Sequence, residues 1–237
     1  MTNASQSARE IPEGFELRTY KMRKSRVTAS QAAALEKYSH DYLVGDGDSM
    51  VDIRDLTQCS TVVVEIGFGM GEATLALAES QRDVGVLAVD VHTPGIGRLL
   101  HEIAEHGLTN VRVFEGNGVA LLENRIPDGH LDGLRLFFPD PWPKARHHKR
   151  RFVTTEHMNL VALKVRAGGF FHFATDWQDY ADQAFEVLST HPRWTLLPPA
   201  QGVAFAQPNE RPRTRFEQRG IDAGRQITDL VAVRKTL

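Results

Sequence analysis

The stretch VVVEIGFGMGEATLALA, residues 62–78, sets the architecture of this chain. An apolar run interrupted by one acid, Glu65, ends in G-x-G-x-G at Gly67, Gly69 and Gly71, and the helix-like EATLALA follows at once. A strand that passes through a glycine turn directly into a helix is the opening unit of an open α/β sheet. Glycines are wanted there because the chain bends sharply and a ligand must approach bare backbone.

The turn also says what kind of ligand fits. A G-x-G-x-x-G nicotinamide fingerprint has its third glycine one position later, where this chain has Glu72, and an acid at a helix start repels a pyrophosphate. Glu65 stands two residues before Gly67. Asp90 ends the next apolar run, close to the ~20-residue offset at which a carboxylate accepts hydrogen bonds from ribose hydroxyls. The ligand expected is one with an adenosine moiety, a positive charge and no phosphate. S-adenosylmethionine has all three properties.

Outward from this turn the pattern repeats. TVVVEIG (61–67), GVLAVDV (85–91), NVRVFEG (110–116), LRLFFPD (134–140) and GFFHFATD (169–176) are strand-like, and helix-like segments follow each: EATLALAES, GIGRLLHEIAEHG, VALLENRI, FVTTEHMNLVALKVRAGG and WQDYADQAFEVLSTH. Strands this continuously apolar are buried on both faces, and strand–helix units imply right-handed crossovers and a parallel sheet. WTLLP (194–198) and DLVAVRK (229–235) are strand-like with no helical segment read between them, which predicts a closing antiparallel pair. The expected fold is therefore α/β, a doubly wound, seven-stranded and mostly parallel sheet with an antiparallel C-terminal strand. Residues 1–45, which hold a basic run and an amphipathic stretch at 30–43, are read as a flexible basic arm, and 46–237 as the domain.

With 237 residues, 41% hydrophobic and 24% charged, the chain suits one globular core rather than a disordered or fibrous class. No apolar run approaches the ~20 residues of a membrane helix, and MTNASQSAREIPEG lacks the apolar segment of a signal peptide, so a cytoplasmic location with no membrane partner is expected. Cys59 is the single cysteine, which excludes a disulfide framework and a cysteine-based metal cluster. The oligomeric state stays open between monomer and homodimer.

The net charge of −2 conceals a segregation. RTYKMRKSR (18–26), KARHHKRR (144–151) and RPRTRFEQR (211–219) hold 14 of the 28 Lys/Arg and one of the 30 acids, Glu217. Three such runs suggest a positive face for a polyanion. The middle run belongs to FFPDPWPKARHHKRR (137–151), where Asp140 stands between two prolines at the end of a buried strand.

RTYKMRKSRVTASQ, EIGFGMG, VDVHTPGIG, FFPDPWPKARHHKRR, FHFATDW and TRFEQRG occur in this order, and with them the chain resembles the bacterial tRNA (guanine-N7-)-methyltransferases from about residue 18 to the C-terminus. These are class I methyltransferases that modify a guanine of the tRNA variable loop, position 46. The resemblance implies S-adenosylmethionine as cofactor, tRNA as partner, and cofactor contacts from Glu65, Asp90, Asn117 and Asp140 beside the glycines. It implies substrate contacts from Lys144, Asp176, Thr214, Arg215, Phe216 and Glu217. Arg146, Lys149, Arg150 and Arg151 are then read as phosphate contacts. Asp90 stands where the family commonly has Glu, and Asn117 where it commonly has Asp.

The chemistry needs no triad, because guanine N7 carries a free lone pair. Asp140 is expected as the catalytic group, reading the N1–H and N2–H2 edge of guanine and opposing the positive charge that arrives on the base. Trp142 and Phe216 are candidates either for stacking on a flipped base or for core packing. His147 and His148 belong to the basic loop and lack the neighbours of a metal site; His92 and His172 read as local hydrogen-bonders. Two other readings remain open: an amino methyltransferase acting on another RNA base, and a non-catalytic RNA-binding protein with the same fold.

Overall fold

The apolar runs form seven strands: β1 (Thr61–Ile66), β2 (Val84–Asp90), β3 (Val111–Glu115), β4 (Leu131–Phe137), β5 (Val165–Thr175), β6 (Trp194–Leu196) and β7 (Thr228–Arg234). The computed structural model describes residues 18–20, 26–45, 47–198 and 212–236. The strands make one sheet in the order β3-β2-β1-β4-β5-β7-β6. β1 to β5 pair in parallel, and β7 runs antiparallel between β5 and β6.

Between the strands lie α3 (Glu72–Ser80), α4 (Thr93–Glu105), α5 (Gly118–Arg125), α6 (Thr155–Lys164) and α7 (Gln178–Thr190), with α1 (Ala29–Tyr42) and α2 (Ile53–Thr57) before β1 and α8 (Arg215–Asp222) before β7. On one face Ala73 and Leu77 of α3 pack on Phe137 and Ala174, and Ile96, Leu99 and Leu100 of α4 pack on Ala88, Val111 and Val113. On the other, α5, α6 and α7 bring Leu121, Met158, Val161 and Tyr180 against Val64, Leu87, Leu134 and Phe171. Val62, Val63 and Val64 are all fully buried, as residues covered on both faces must be; each such side chain contributes roughly 1.5–3 kcal/mol.

Three expectations are corrected. The connection from β6 to β7 holds a helix, α8, which begins with a capping box between Thr214 and Glu217. α6 stops at Lys164, where the chain passes straight into β5; Val165 pairs with Leu131 across a register shift, so VRAGG is strand rather than helix. Residues 29–45 are not a flexible arm. Thr28 and Gln31 cap α1, Ala34 is buried, and α1 lies against α4 so closely that a Cβ on Gly97 would come 2.7 Å from the Gln31 carbonyl oxygen. Val44 N–H then donates to the Val113 carbonyl of β3 at 2.8 Å.

The sheet order reverses between β1 and β4. The crevice beyond the carboxyl ends of two strands that diverge in this way is where an open α/β sheet takes its ligand, and here it is walled by the glycine turn after β1 and by Pro139–Asp140 after β4.

Candidate active site

Gly67, Gly69 and Gly71 all have positive φ, at +77°, +61° and +79°, the region that side chains disfavour. Their roles differ. A Cβ on Gly67 would stand in open space, facing the cavity, whereas one on Gly71 would come 2.8 Å from Leu99 Cδ1. Gly71 is the N-cap of α3 and packs on α4, behind the cavity wall. The turn is held from behind by α4, since a Cβ on Gly95 would lie 1.9 Å from the Gly69 carbonyl oxygen. HTPGIG therefore supports the turn, a role its sequence did not announce.

Asp90 organises the same turn. Its Oδ2 accepts the Gly69 N–H at 2.7 Å, and its Oδ1 accepts those of Val91 and His92 at 2.7 and 2.9 Å. Burial raises the Asp90 pKa, and the three backbone donors oppose that rise. Glu65, buried in the floor, accepts from Thr74 Oγ1 at 3.1 Å. Both acids line a cavity of about 360 Å³ together with Gly67, Gly69, Gly116 and Gly118. Asn117 lies between the last two but does not line the cavity; its Oδ1 caps α5 by accepting the Val119 N–H at 3.0 Å.

The opposite wall is the segment after β4. Phe138 and Trp142 have φ of +50° and +46°, conformations that cost roughly 1–3 kcal/mol each in residues with a Cβ and persist only where the surroundings impose them. The restraints are visible. Phe138 N–H donates to the Ala174 carbonyl at 2.8 Å, Arg151 Nε donates to the Pro141 carbonyl at 2.9 Å, and Trp142 Nε1 donates to the Thr19 carbonyl at 3.1 Å. Asp140 sits between these two strained residues, half-buried, and lines the cavity. Trp142 is buried, with the Arg150 guanidinium 4.9 Å from its ring centre; of its two expected roles, the structure gives it packing.

α8 closes the third side with Thr214, Arg215, Phe216 and Arg219. Phe216 is 38% exposed and stands over the glycine turn, its Cε2 3.6 Å from where a Gly69 Cβ would be. Glu217 serves the cap of α8 and does not line the cavity. Nor does Asp176, whose Oδ2 accepts Arg225 Nε at 2.8 Å and whose side chain packs against Gly220. It anchors the C-terminal end of α8.

In the basic loop, Lys144, Arg146 and Lys149 are exposed around the 3-10 turn Ala145–Arg150, and Arg150 is half-buried on Trp142. Arg151 is the correction. It is fully buried, donates to Gln183 Oε1 at 2.7 Å and to the Asp179 carboxylate, and ties the Pro141 carbonyl to α7, so it is out of a phosphate's reach.

Three walls of one cavity thus come from the neighbourhoods of the three basic runs: Thr19 and Tyr20, then Pro139 and Asp140, then Arg215 and Arg219. Positions 21–25 of the first run and Arg211 of the third lie outside the described residues. Thr19, Tyr20, Arg219, Phe138 and Phe152 line the cavity without having been singled out for it in the sequence. Among the described residues no group of three His, Cys, Asp or Glu is placed to hold a metal ion, and no helix is long and apolar enough to cross a membrane.

A seven-stranded sheet with this strand order and a ligand crevice at its switch point defines a class I methyltransferase fold. Two solved structures share it: the 16S rRNA methyltransferase KamB (TM-score 0.50, 19% identity, covering 77% of this chain and 90% of that one) and an antibiotic-related methyltransferase (TM-score 0.51, 15% identity, covering 83% and 98%). A family model described as "Putative methyltransferase" matches residues 60–230. A tRNA (guanine-N(7)-)-methyltransferase of Streptomyces avermitilis is 47% identical over 216 residues, 91% of this chain and 74% of the relative, and one of Nitrosospira multiformis is 40% identical over 220 residues, 92% and 95%. The chain belongs to the tRNA (guanine-N7-)-methyltransferase family.

Proposed function

We propose that this chain transfers a methyl group from S-adenosylmethionine to N7 of a guanine in tRNA, guanine 46 of the variable loop, and that it does so in the cytoplasm. The observation that carries the reading is the meeting of Glu65, Gly67, Gly69 and Asp90 with Asp140 in one cavity bordered by basic segments. The residues fit the cofactor: the glycine cradle has room that a Cβ at Gly67 would take, and two carboxylates suit a cation and ribose hydroxyls. When bound, S-adenosylmethionine supplies an electrophilic methyl group.

The chain's own part is alignment and charge. Guanine N7 needs no deprotonation, so holding base and cofactor in line is the main task, and such positioning supplies up to ~7–11 kcal/mol. Asp140 accepts from N1–H and N2–H2 of the base, which selects guanine over adenine. Its negative charge opposes the positive charge that develops on the ring; at ~4 Å and an effective dielectric of ~20 the whole interaction is worth up to about 4 kcal/mol, of which the part that grows toward the transition state accelerates transfer. Phe216 and Arg219 border the base from α8. Lys144, Arg146, Lys149 and Arg150, with the segment 18–26, hold phosphates.

Methyl transfer from labelled S-adenosylmethionine to unmodified bulk tRNA, followed by nucleoside identification, tests the reading. 7-Methylguanosine at position 46 is expected. A methylated adenine or cytosine, or cofactor binding without incorporation, overturns it.

A further inference from the structure

Glu65 is 2% exposed in the floor of the cavity. Burial favours the protonated form of a carboxyl, and a positive charge or hydrogen-bond donors beside it favour the ionised one; Thr74 is one such donor. The sheet register supplies the positive charge. Glu65 on β1 is the direct neighbour of Arg135 on β4, which is in turn the neighbour of His172 on β5; cross-strand partners leave the same face of a sheet. Arg135 is 1% exposed and does not line the cavity. Burial pushes its guanidinium down to about 10, with the charge of Glu65 working against that shift, so it stays a cation at neutral pH. Its Nη2 donates to Gln81 Oε1 at 3.3 Å.

The groups around Glu65 are Thr74 from α3, which donates to it, Ala88 from β2 and Arg135 from β4. Asp90 and Asp140 line the same cavity from the ends of β2 and β4, and one strand beyond Arg135 His172 Nε2 lies 2.8 Å from Asp229 Oδ1. A buried charge pair is weak evidence of a stabilising role, since apolar residues of similar volume in its place often leave stability unchanged or raise it. The pair has one member that reaches ligand and one that does not.

We infer that Arg135 is a positioning residue that keeps Glu65 ionised, so that a fixed negative charge in the cavity floor meets a cationic cofactor. The last clause rests on the S-adenosylmethionine reading; the pairing is a property of the ligand-free chain.

Arg135→Gln and the double variant Glu65→Gln/Arg135→Gln test it, through thermal unfolding without ligand and calorimetric titration with S-adenosylmethionine. Without Arg135 the folded state binds a proton on Glu65 at a pH above the unfolded carboxyl value, so stability relative to wild type falls as pH rises through that raised pKa. The Tm deficit of Arg135→Gln is therefore expected to widen from about pH 5 to about pH 8. Its affinity relative to wild type is expected to be down about tenfold at pH ~6, a one-unit titration effect, and to recover with rising pH. A deficit equal at every pH, with a flat affinity ratio, would reduce Arg135 to a packing group and overturn the inference. Should Arg135→Gln fail to fold, the double variant decides: recovery of stability supports the inference, and no recovery overturns it. If the Tm deficit of Arg135→Gln widens with pH as expected but wild type binds no S-adenosylmethionine, the charge pairing stands and the cofactor reading falls.

Discussion

Glu72 and Arg215 stand 143 residues apart and are joined twice: Glu72 Oε2 accepts the Arg215 backbone N–H at 3.1 Å, and Oε1 accepts its Nε–H at 2.6 Å. Arg98 of α4 adds a third partner to Glu72 at 3.3 Å. The acid that argues against a dinucleotide in the sequence thus fastens α8 to the first turn of α3.

Because the Arg215 side chain is 65% exposed, Glu72→Ala is expected to cost less than about 1 kcal/mol of stability. Its effect falls on alignment, where small misplacements cost up to ~100-fold in rate. Single-turnover methyl transfer in a Glu72→Ala, Arg215→Ala double-mutant cycle is expected to be strongly non-additive. Additive losses would mean that α8 is placed without this ion pair.

Asp90 carries a pH dependence with a definite sign. Burial raises its pKa, so the neutral form is favoured on folding; the stability it contributes is full below the unfolded pKa and is lost as pH rises through the folded one. Cofactor binding is expected to run the opposite way, since the carboxylate is the form that holds the Gly69, Val91 and His92 N–H groups and, in the proposed site, the form that would accept ribose hydroxyls. Affinity is expected to fall on acidification at a pH above the ordinary carboxyl value. Asp90→Asn is expected to bind about 1.5–3 kcal/mol more weakly, with a flatter pH profile, by calorimetry across the acid range. A variant with wild-type affinity and the same profile would remove Asp90 from the site.

The basic loop divides into two kinds of arginine. Replacing Lys144, Arg146 and Lys149 by Ala is expected to flatten the dependence of tRNA affinity on salt, by ~0.7–0.9 in log–log slope for each phosphate no longer neutralised, with cofactor binding intact. Arg151→Ala is expected to act on the fold instead, at roughly 1–3 kcal/mol, because it removes the buried donor to the Pro141 carbonyl and Gln183, while its carboxylate partner Asp179, 61% exposed, stays in water. Salt titrations and thermal unfolding on the same set of variants separate the two; an Arg151→Ala protein of wild-type Tm would contradict the assignment.

Asp140→Asn keeps the side-chain shape and removes the charge and one acceptor. Single-turnover transfer at saturating cofactor is expected to drop by ~2–4 kcal/mol in transition-state stabilisation, while tRNA affinity, which phosphate contacts dominate, changes little. Equal losses in rate and affinity would make Asp140 a positioning group, and full activity would take it out of the reaction.

The sheet, the glycine turn and the strand-end acids were legible in the chain before any of it was folded. Each is written in adjacent residues: a strand buried on both faces is continuously apolar, as in Val62–Val64, and a sharp turn open to ligand requires glycine, as at Gly67. The start of α8 was not read, although Thr214 and Glu217 have capping-box spacing, because eight mostly polar residues with Phe216 and Ile221 as their only large apolar members do not announce a helix. The partner that each charge finds, in contrast, emerges only in three dimensions. Arg150 and Arg151 are neighbours of one type, yet one lies on Trp142 near the surface and the other is enclosed by α7; Glu72 and Arg215, and Glu65 and Arg135, meet across chain separations that no local pattern encodes. The physical reason is that apolar periodicity is dictated residue by residue by the element it forms, whereas the partner of a polar group is whatever the crossovers bring beside it, and the cost of burying a charge is set by that partner.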